Sequence, residues 1–264
     1  MILFALLLAL VIGLVLALIG SGGSILTVPV LVYLLKIEPV TATAYSLFIV
    51  GMTALAGAIP YWKRGELDRD ALIWFSFPSI AAVWATRGIL LPALPDVWLT
   101  VGAVSIGKGQ ALMILFAGLM LVSAILMLRD APPLATTSTP RRGLLVAEGI
   151  VVGVLTGLVG AGGGFLIIPA LVLLAGLPMK TAVGTSLALI ALKSTIGFTG
   201  DLSAGLSPDW TLLLGFTAVA VAGILLGARL VPHVPASTLK RGFGVFLILI
   251  AISMLMSEFV RAHH

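Results

Sequence analysis

The sequence contains no cysteine, which excludes disulfide bonds, thiol catalysis and iron–sulfur or thiolate metal sites. Charged residues are also scarce, at 9% of the chain against about 25% in ordinary soluble domains. With 60% hydrophobic residues and so few charges, the chain cannot cover a water-facing surface. These proportions indicate an integral membrane protein.

Groups for catalysis are equally sparse. No carboxylate lies in the middle of a hydrophobic run, and Glu148, early in its run, comes nearest. The histidines, at 233, 263 and 264, have no metal-ligand spacing, and no Ser/His/Asp set is recognisable. We therefore expect no enzyme, no metal and no cofactor. The net charge of +5 is scattered singly at run ends rather than along a stripe, which argues against nucleic acid as a partner.

Hydrophobic runs long enough to cross a bilayer recur along the chain. About 20 helical residues span the hydrocarbon core, and the alternating pattern of a membrane β-barrel is absent. We predict an all-α polytopic membrane protein with about eight full-length transmembrane helices and two short segments that break or re-enter the membrane. The predicted runs are 1–19, 24–35, 39–62, 71–92 and 97–128, followed by 143–159, 164–175, 178–199, 210–230 and 239–258.

The chain matches itself at an offset of 140 positions, which indicates an internal duplication. The most specific matches pair Gly20, Gly22, Gly23 and Pro29 with Gly160, Gly162, Gly163 and Pro169. We divide the chain into a first transmembrane repeat at 1–128, a linker at 129–142 and a second repeat at 143–264. The linker is polar and rich in proline, and its three arginines predict that it is cytoplasmic.

Equivalent loops of the two halves differ in charge. The loop after the third run carries Lys63, Arg64 and Arg69 in the first half, but Asp201 and Asp209 in the second. The positive-inside rule places these loops on opposite sides of the membrane. We therefore predict inverted repeats in a multi-pass protein of the cell inner membrane, with the lipid bilayer as a partner. The sequence is compatible with an oligomer.

A cluster of glycines precedes each short run. Glycine allows the backbone to leave the helix, and a helix that begins inside the membrane presents unpaired N–H groups and a partial positive charge. Both favour an anion. The predicted binding residues at the two breaks are Gly20, Ser21, Gly22, Gly23, Ser24 and Thr27 in the first half and Gly160, Gly162, Gly163 and Gly164 in the second. Alternatively, these glycines only allow close helix packing.

Hydroxyl groups at the start of the third runs are further candidates for the binding site. Ser46, Thr185 and Ser186 either line a polar path or join neighbouring helices by hydrogen bonds. Lys193 lies inside its run, so we expect it either to supply countercharge to an anion or to extend its ammonium to the membrane interface. We expect interface placement for Arg87, and a bend at Lys108.

The duplicated Gly-x-Gly-Gly pattern, the 181–187 segment Thr-Ala-Val-Gly-Thr-Ser-Leu and the 193–198 segment Lys-Ser-Thr-Ile-Gly-Phe carry a family resemblance. The chain resembles the sulfite exporter TauE/SafE family, also called the 4-toluene sulfonate uptake permeases. The resemblance implies a membrane permease for a small inorganic or organic sulfur-containing anion, such as sulfite, thiosulfate or an organosulfonate. We expect alternating access around the paired breaks. The alternatives are an anion channel and a non-transporting membrane binding or scaffold protein.

Overall fold

A computed structural model of the chain describes residues 2–19, 23–101, 104–128, 142–160, 162–173, 176–230 and 236–262. The helices are α1 Ile2–Ile19, α2 Gly23–Pro29, α3 Pro39–Lys63, α4 Arg69–Ala85, α5 Leu91–Ala93, α6 Lys108–Leu128, α7 Arg142–Val159, α8 Gly164–Leu173, α9 Met179–Ser203, α10 Trp210–Leu230 and α11 Ala236–Ala262. Two π-helical turns, Val30–Leu34 and Thr86–Leu90, follow α2 and α4.

Within the described residues, six helical stretches are long and apolar enough to cross a membrane. They are Pro39–Lys63, Arg69–Ala93, Lys108–Ile125, Arg142–Val159, Lys180–Ser203 and Trp210–Arg229. The helices α1 and α11, of 18 and 27 residues, are the other two long ones, while α2 with its π turn and α8 are short. The prediction of an all-α polytopic membrane protein is confirmed.

Acidic residues fix where three of the long helices begin. The side chain of Glu38 accepts from the Thr41 N–H at 2.9 Å, that of Asp68 from Ala71 at 2.7 Å, and that of Asp209 from Leu212 at 3.1 Å. A carboxylate at this position satisfies an N–H that has no partner inside the helix, and it also complements the positive helix terminus.

The predicted run 97–128 is not one helix. Its first part forms an antiparallel hairpin of β1 Val97–Val101 and β2 Val104–Gly107, and α6 then begins at Lys108. Lys108 Nζ donates to the carbonyl oxygens of Leu91 at 3.3 Å and Leu94 at 3.0 Å, which terminates the preceding helical stretch. The change of direction predicted at Lys108 is therefore present, and the residues before it extend along the surface.

Helices of the first half pack against helices of the second. The main pairs are α1 with α10, α4 with α7, α3 with α9, and α6 with α11. At the offset of 140, the first two pairs exchange and the third maps onto itself, while α6 corresponds only to the part of α11 from residue 248 onward. The central pair is α3 and α9, whose spans are 72% buried against 33–39% for the other four.

Contacts along the central pair give its direction. Gly51 lies beside Thr195, whereas Gly184 lies beside Tyr61, so α3 and α9 run antiparallel. The same holds for α6 and α11, because Gln110 Nε2 at the start of α6 donates to the carbonyl of Glu258 near the end of α11 at 3.0 Å. Helices that correspond in the self-alignment thus run in opposite directions.

The remaining contacts give the directions of the other helices, and so show which helix ends lie at the same end of the molecule. Helices α1, α3, α6 and α10 run one way, and α4, α7, α9 and α11 run the other. Basic residues are concentrated at the end where α3 finishes and α9 begins. Described basic residues there are Lys63, Arg64, Arg69, Arg142, Lys180, Arg229 and Arg241, whereas the described side chains at the opposite end include Lys36 and Lys108.

Candidate functional site

The second glycine cluster is an irregular connection between α7 and α8. Gly160, Gly162 and Gly163 have φ angles of +72°, +65° and +63°, a left-handed conformation that glycine adopts without the steric cost borne by other residues. The predicted break in the helix is therefore present. We call residues 160–164 the glycine break; residue 161 lies outside the described residues.

The break is enclosed by three helices. Gly160 contacts Thr43 of α3, and a Cβ on Gly162 would lie 2.8 Å from a methyl group of Val50. A Cβ on Gly163 would overlap the hydroxyl of Thr156 on α7 and lie 2.9 Å from Lys193 Nζ on α9. Side chains at these positions would thus collide with the surrounding helices, so the backbone itself lines this part of the site.

Lys193 brings a positive charge to the break. Its side chain is fully buried, and its Nζ donates to Thr156 Oγ1 at 3.0 Å. Since the ammonium points into the protein beside Gly163, the alternative that it extends to the membrane interface is wrong. No carboxylate among the described residues forms an ion pair with this lysine.

Two buried hydroxyl groups near the break have no hydrogen-bond partner within the described part of the chain. Ser194 Oγ would be 3.4 Å from a Cβ on Gly162. Ser46 is located between Thr43 and Val50, on the α3 face that contacts the break, and its Oγ is also unpartnered. The structure therefore brings the predicted Ser46 to the site and adds Ser194, which the sequence analysis did not select.

Two other predicted residues lie elsewhere. Thr185 Oγ1 accepts from the N–H of Asp68 at 2.9 Å, and Ser186 Oγ donates to the carbonyl of Val183 at 2.8 Å. They precede Lys193 by eight and seven positions, which places them about 11–12 Å away along α9. The structure does not bring these two hydroxyls to the break, and a role for them along a polar path stays a prediction. Thr185 instead joins α9 to the start of α4.

The first-half break is only partly described. Gly20, Ser21 and Gly22 lie outside the described residues, while Gly23 and Ser24 begin α2. Thr27 is buried, and its hydroxyl has no partner among the described residues. Thr53, the counterpart of Lys193, donates its hydroxyl to the carbonyl of Ile49 at 2.6 Å. The cation at the site therefore comes from the second half.

The side chain of Arg87 is buried in the protein and does not extend outward, contrary to expectation. It lies in the π-helical turn Thr86–Leu90 and is fully buried. Its Nε is 3.1 Å from Asp201 Oδ2, and its Nη1 donates to Thr43 Oγ1 at 3.0 Å. The expectation for Asp201 was also wrong, because α9 continues to Ser203 and buries this carboxylate, so the loop begins after it.

The start of α8 supplies donors. The first helical hydrogen bonds run from Leu166 and Ile167 to the carbonyl of Gly163, at 3.0 and 3.1 Å. The N–H groups of Gly164 and Phe165, in the first turn of α8, come before these and have no acceptor within the helix, and the helix dipole places partial positive charge at this end. Together with Lys193 and the free hydroxyls, these N–H groups form a buried set of hydrogen-bond donors suited to a small anion.

A polytopic helical bundle with a buried polar site is an architecture that membrane transporters share. The chain belongs to the sulfite exporter TauE/SafE family, whose sequence pattern matches residues 5–254. It is 33% identical over 254 residues to a probable membrane transporter protein of Xylella fastidiosa strain 9a5c, with 91% of this chain and 90% of that protein covered.

Two further relatives have similar coverage. A probable membrane transporter protein of Haemophilus influenzae is 29% identical over 278 residues, covering 97% of this chain and 98% of the relative. The probable membrane transporter protein YunE of Bacillus subtilis is 28% identical over 267 residues, covering 94% and 95%. The recognised family is therefore confirmed, and the chain is a multi-pass membrane transporter protein.

Proposed function

We propose that this protein is a permease that moves small sulfur-containing oxyanions, such as sulfite, thiosulfate or an organosulfonate, across the cell inner membrane by alternating access. The observation that carries the proposal is the position of Lys193, whose ammonium lies buried against the glycine break with the Thr156 hydroxyl as its partner. The substrate class also draws on the description of the family as sulfite exporters.

Electrostatics support an anion as the ligand. A buried ammonium without a carboxylate partner is costly, and an anion beside it removes much of that cost. The nearest carboxylate along α9 is Asp201, which already faces Arg87. An oxyanion presents several acceptor oxygens, which match the Lys193 ammonium, the hydroxyls of Ser46 and Ser194 and the N–H groups at the start of α8.

The arrangement of the halves supports alternating access. We propose that they form an inverted repeat related by a two-fold axis in the membrane plane, because corresponding helices run in opposite directions. Rocking one half against the other exposes a central site to each side in turn. Lys193 and Ser46 are fully buried, which favours a carrier with an occluded site over a continuously open anion channel.

The charge distribution supports an orientation. We assign the end that carries Lys63, Arg142 and Lys180 to the cytoplasm, because basic residues concentrate in cytoplasmic loops. This assignment places the linker 129–142 inside and the segment that joins α9 to α10 outside. It also places Lys193 between the two surfaces, and Arg87 closer to the outer one.

The test is uptake of labelled thiosulfate and sulfite into liposomes that contain the purified protein, with chloride and taurine as competitors. We expect saturable flux in the wild type and a loss of at least about tenfold in Lys193→Met, the ratio that corresponds to one charge-assisted hydrogen bond. Lys180→Met is the matched control, because Lys180 is exposed at the cytoplasmic end and should leave flux unchanged.

Each outcome has a distinct meaning. Flux that rises linearly with concentration and shows no countertransport would favour the channel. No flux of either anion from folded, inserted wild-type protein would overturn the sulfur-anion assignment and favour a binding or scaffold role. Equal loss in both lysine variants would show that Lys193 has no special role at the site.

A further inference from the structure

The buried ion pair of Arg87 and Asp201 is not used by the site around Lys193. Asp201 follows Lys193 by eight positions on α9, which places the pair about 12 Å further toward the outer end. It nevertheless borders the same break, because Arg87 bonds to Thr43 and Thr43 contacts Gly160. In the proposed orientation, the pair therefore lies between the Lys193 site and the outer end of α9.

The guanidinium of Arg87 is incompletely satisfied. Its Nη1 has Thr43 as acceptor, but Nη2 has no hydrogen-bond partner among the described residues. Nε is 3.1 Å from Asp201 Oδ2, yet the N–H is not aligned for a hydrogen bond. Buried donors without acceptors are rare and costly, and an absent ligand is one recognised reason for them.

The local backbone adapts to this arginine. The π-helical turn Thr86–Leu90 carries Arg87, and π-helical turns occur frequently at functional sites. Gly200 of α9 makes room for it, since a Cβ there would lie 3.1 Å from Arg87 Cβ. A planar fork of N–H donors in this position is suited to two oxygens of one oxyanion, whereas Asp201 uses one oxygen.

We propose that Arg87 is a second anion-binding point, on the outer side of the glycine break, and that Asp201 occupies it when no anion is bound. The inference rests on the proposed function, which gives the ligand its negative charge. An oxyanion arriving from either side displaces the Asp201 carboxylate from Nε and accepts from both Nε and Nη2. In the absence of an anion, the Arg87–Asp201 contact closes the outer side of the site.

The alternative is that the pair only joins the Thr86–Leu90 turn to α9. The two possibilities differ for the double variant Arg87→Met/Asp201→Asn, which removes both charges and leaves no unpaired charge in the interior. A structural pair predicts unchanged anion binding in this variant. An anion-binding arginine predicts that binding weakens, while Asp201→Asn alone binds more tightly because the competing carboxylate has lost its charge.

The measurement is thermal unfolding of the full-length purified protein in sodium thiosulfate, compared with sodium gluconate at equal ionic strength, for each variant against its own gluconate baseline. We expect the half-saturating thiosulfate concentration to rise about tenfold or more in the double variant, the ratio for one charge-assisted hydrogen bond. It should fall in Asp201→Asn. The control is Arg64→Met/Glu66→Gln, which removes an exposed ion pair at the other end.

The outcomes separate this inference from the proposed function. Thiosulfate that stabilises the double variant and Asp201→Asn at wild-type concentrations would overturn the role of Arg87 and leave the permease proposal intact. If the double variant does not fold, unchanged binding in Asp201→Asn alone overturns the inference. If thiosulfate neither stabilises the wild-type protein nor enters liposomes that contain it, the proposed function is overturned, and this inference with it.

Discussion

The ammonium of Lys193 donates to the hydroxyl of Thr156 across 3.0 Å, and so links α9 to α7 at the point where α7 ends and the glycine break begins. A fully buried lysine is costly in a membrane protein unless its ammonium has hydrogen-bond acceptors. Thr156 therefore both holds the charge at the break and lowers the cost of burying it.

We expect Thr156→Val to lower the free energy of unfolding by about 1.5–3 kcal/mol, the usual value of a hydrogen bond to a charged group. Valine keeps the shape of threonine but offers no acceptor, whereas Thr156→Ser keeps the hydroxyl and should remain close to wild type. Denaturation in detergent measures the stability of each variant, and thiosulfate flux in liposomes measures its transport. Equal behaviour of the valine and serine variants would contradict this role of the hydroxyl.

Gly163→Ala tests the close approach at the break. Alanine at φ +63° costs roughly 1–2 kcal/mol, and its Cβ would also overlap Thr156 Oγ1 and crowd Lys193 Nζ. We expect a loss of stability of about 2 kcal/mol or more together with loss of thiosulfate-dependent stabilisation, both read from thermal unfolding.

The matched control is Gly215→Ala in α10, where nothing lies within 4 Å of the added Cβ. Because alanine is favoured over glycine inside a helix by about 0.5–1 kcal/mol, this variant should be as stable as wild type or slightly more stable. A Gly163→Ala protein that unfolds and binds thiosulfate like the Gly215→Ala protein would show that the break tolerates a side chain.

The helices could be predicted from the sequence because long apolar runs end at recognisable residues. The run 210–230 coincides with α10, and Asp209, just before it, is the residue that caps the helix. The hairpin could not be foreseen, since Val97–Val101 is apolar enough to extend a neighbouring run. The periodicity of hydrophobic residues and the composition do not by themselves distinguish a short apolar strand from a helix.

The site was only half predictable for a different reason. Glycines and an intramembrane lysine are visible in any reading of the sequence, but the partners of Lys193 and Arg87 are 37 and 114 positions away, at Thr156 and Asp201. Which face of a helix meets which neighbour is set by tertiary packing. A signal for Arg87 was nevertheless present, because an arginine inside an apolar run is a functional candidate by default.

The proposed inverted repeat predicts that corresponding glycines have equivalent effects. Gly13 of α1 faces α10, where an added Cβ would lie 2.7 Å from Ile224 N, and Gly153 of α7 faces α4, where it would lie 2.7 Å from Ser79 O. These positions differ by the offset of 140. Such small residues allow close approach of membrane helices.

We expect Gly13→Leu and Gly153→Leu to lower the thermal midpoint and the yield of monodisperse protein to similar extents. Gly118→Leu in α6 is the control, since nothing lies within 4 Å of an added Cβ there and leucine should be accepted at that surface. Wild-type behaviour of either the Gly13 or the Gly153 variant would argue that the two helix pairs are not equivalent.

The absence of cysteine makes the proposed orientation directly measurable, because each introduced thiol is the single one in the chain. Lys63 is exposed at the end of α3, and Ser207 is exposed in the segment between α9 and α10. With the basic end in the cytoplasm, a membrane-impermeant maleimide should label Ser207→Cys in intact cells with an accessible inner membrane, and Lys63→Cys after permeabilisation alone. Both variants should label equally in detergent, which controls for thiol reactivity.

The reverse pattern would place Lys63, Arg142 and Lys180 outside. Since Arg87 lies toward the Ser207 end, the proposed order of the two anion-binding points would then also be reversed relative to the cytoplasm.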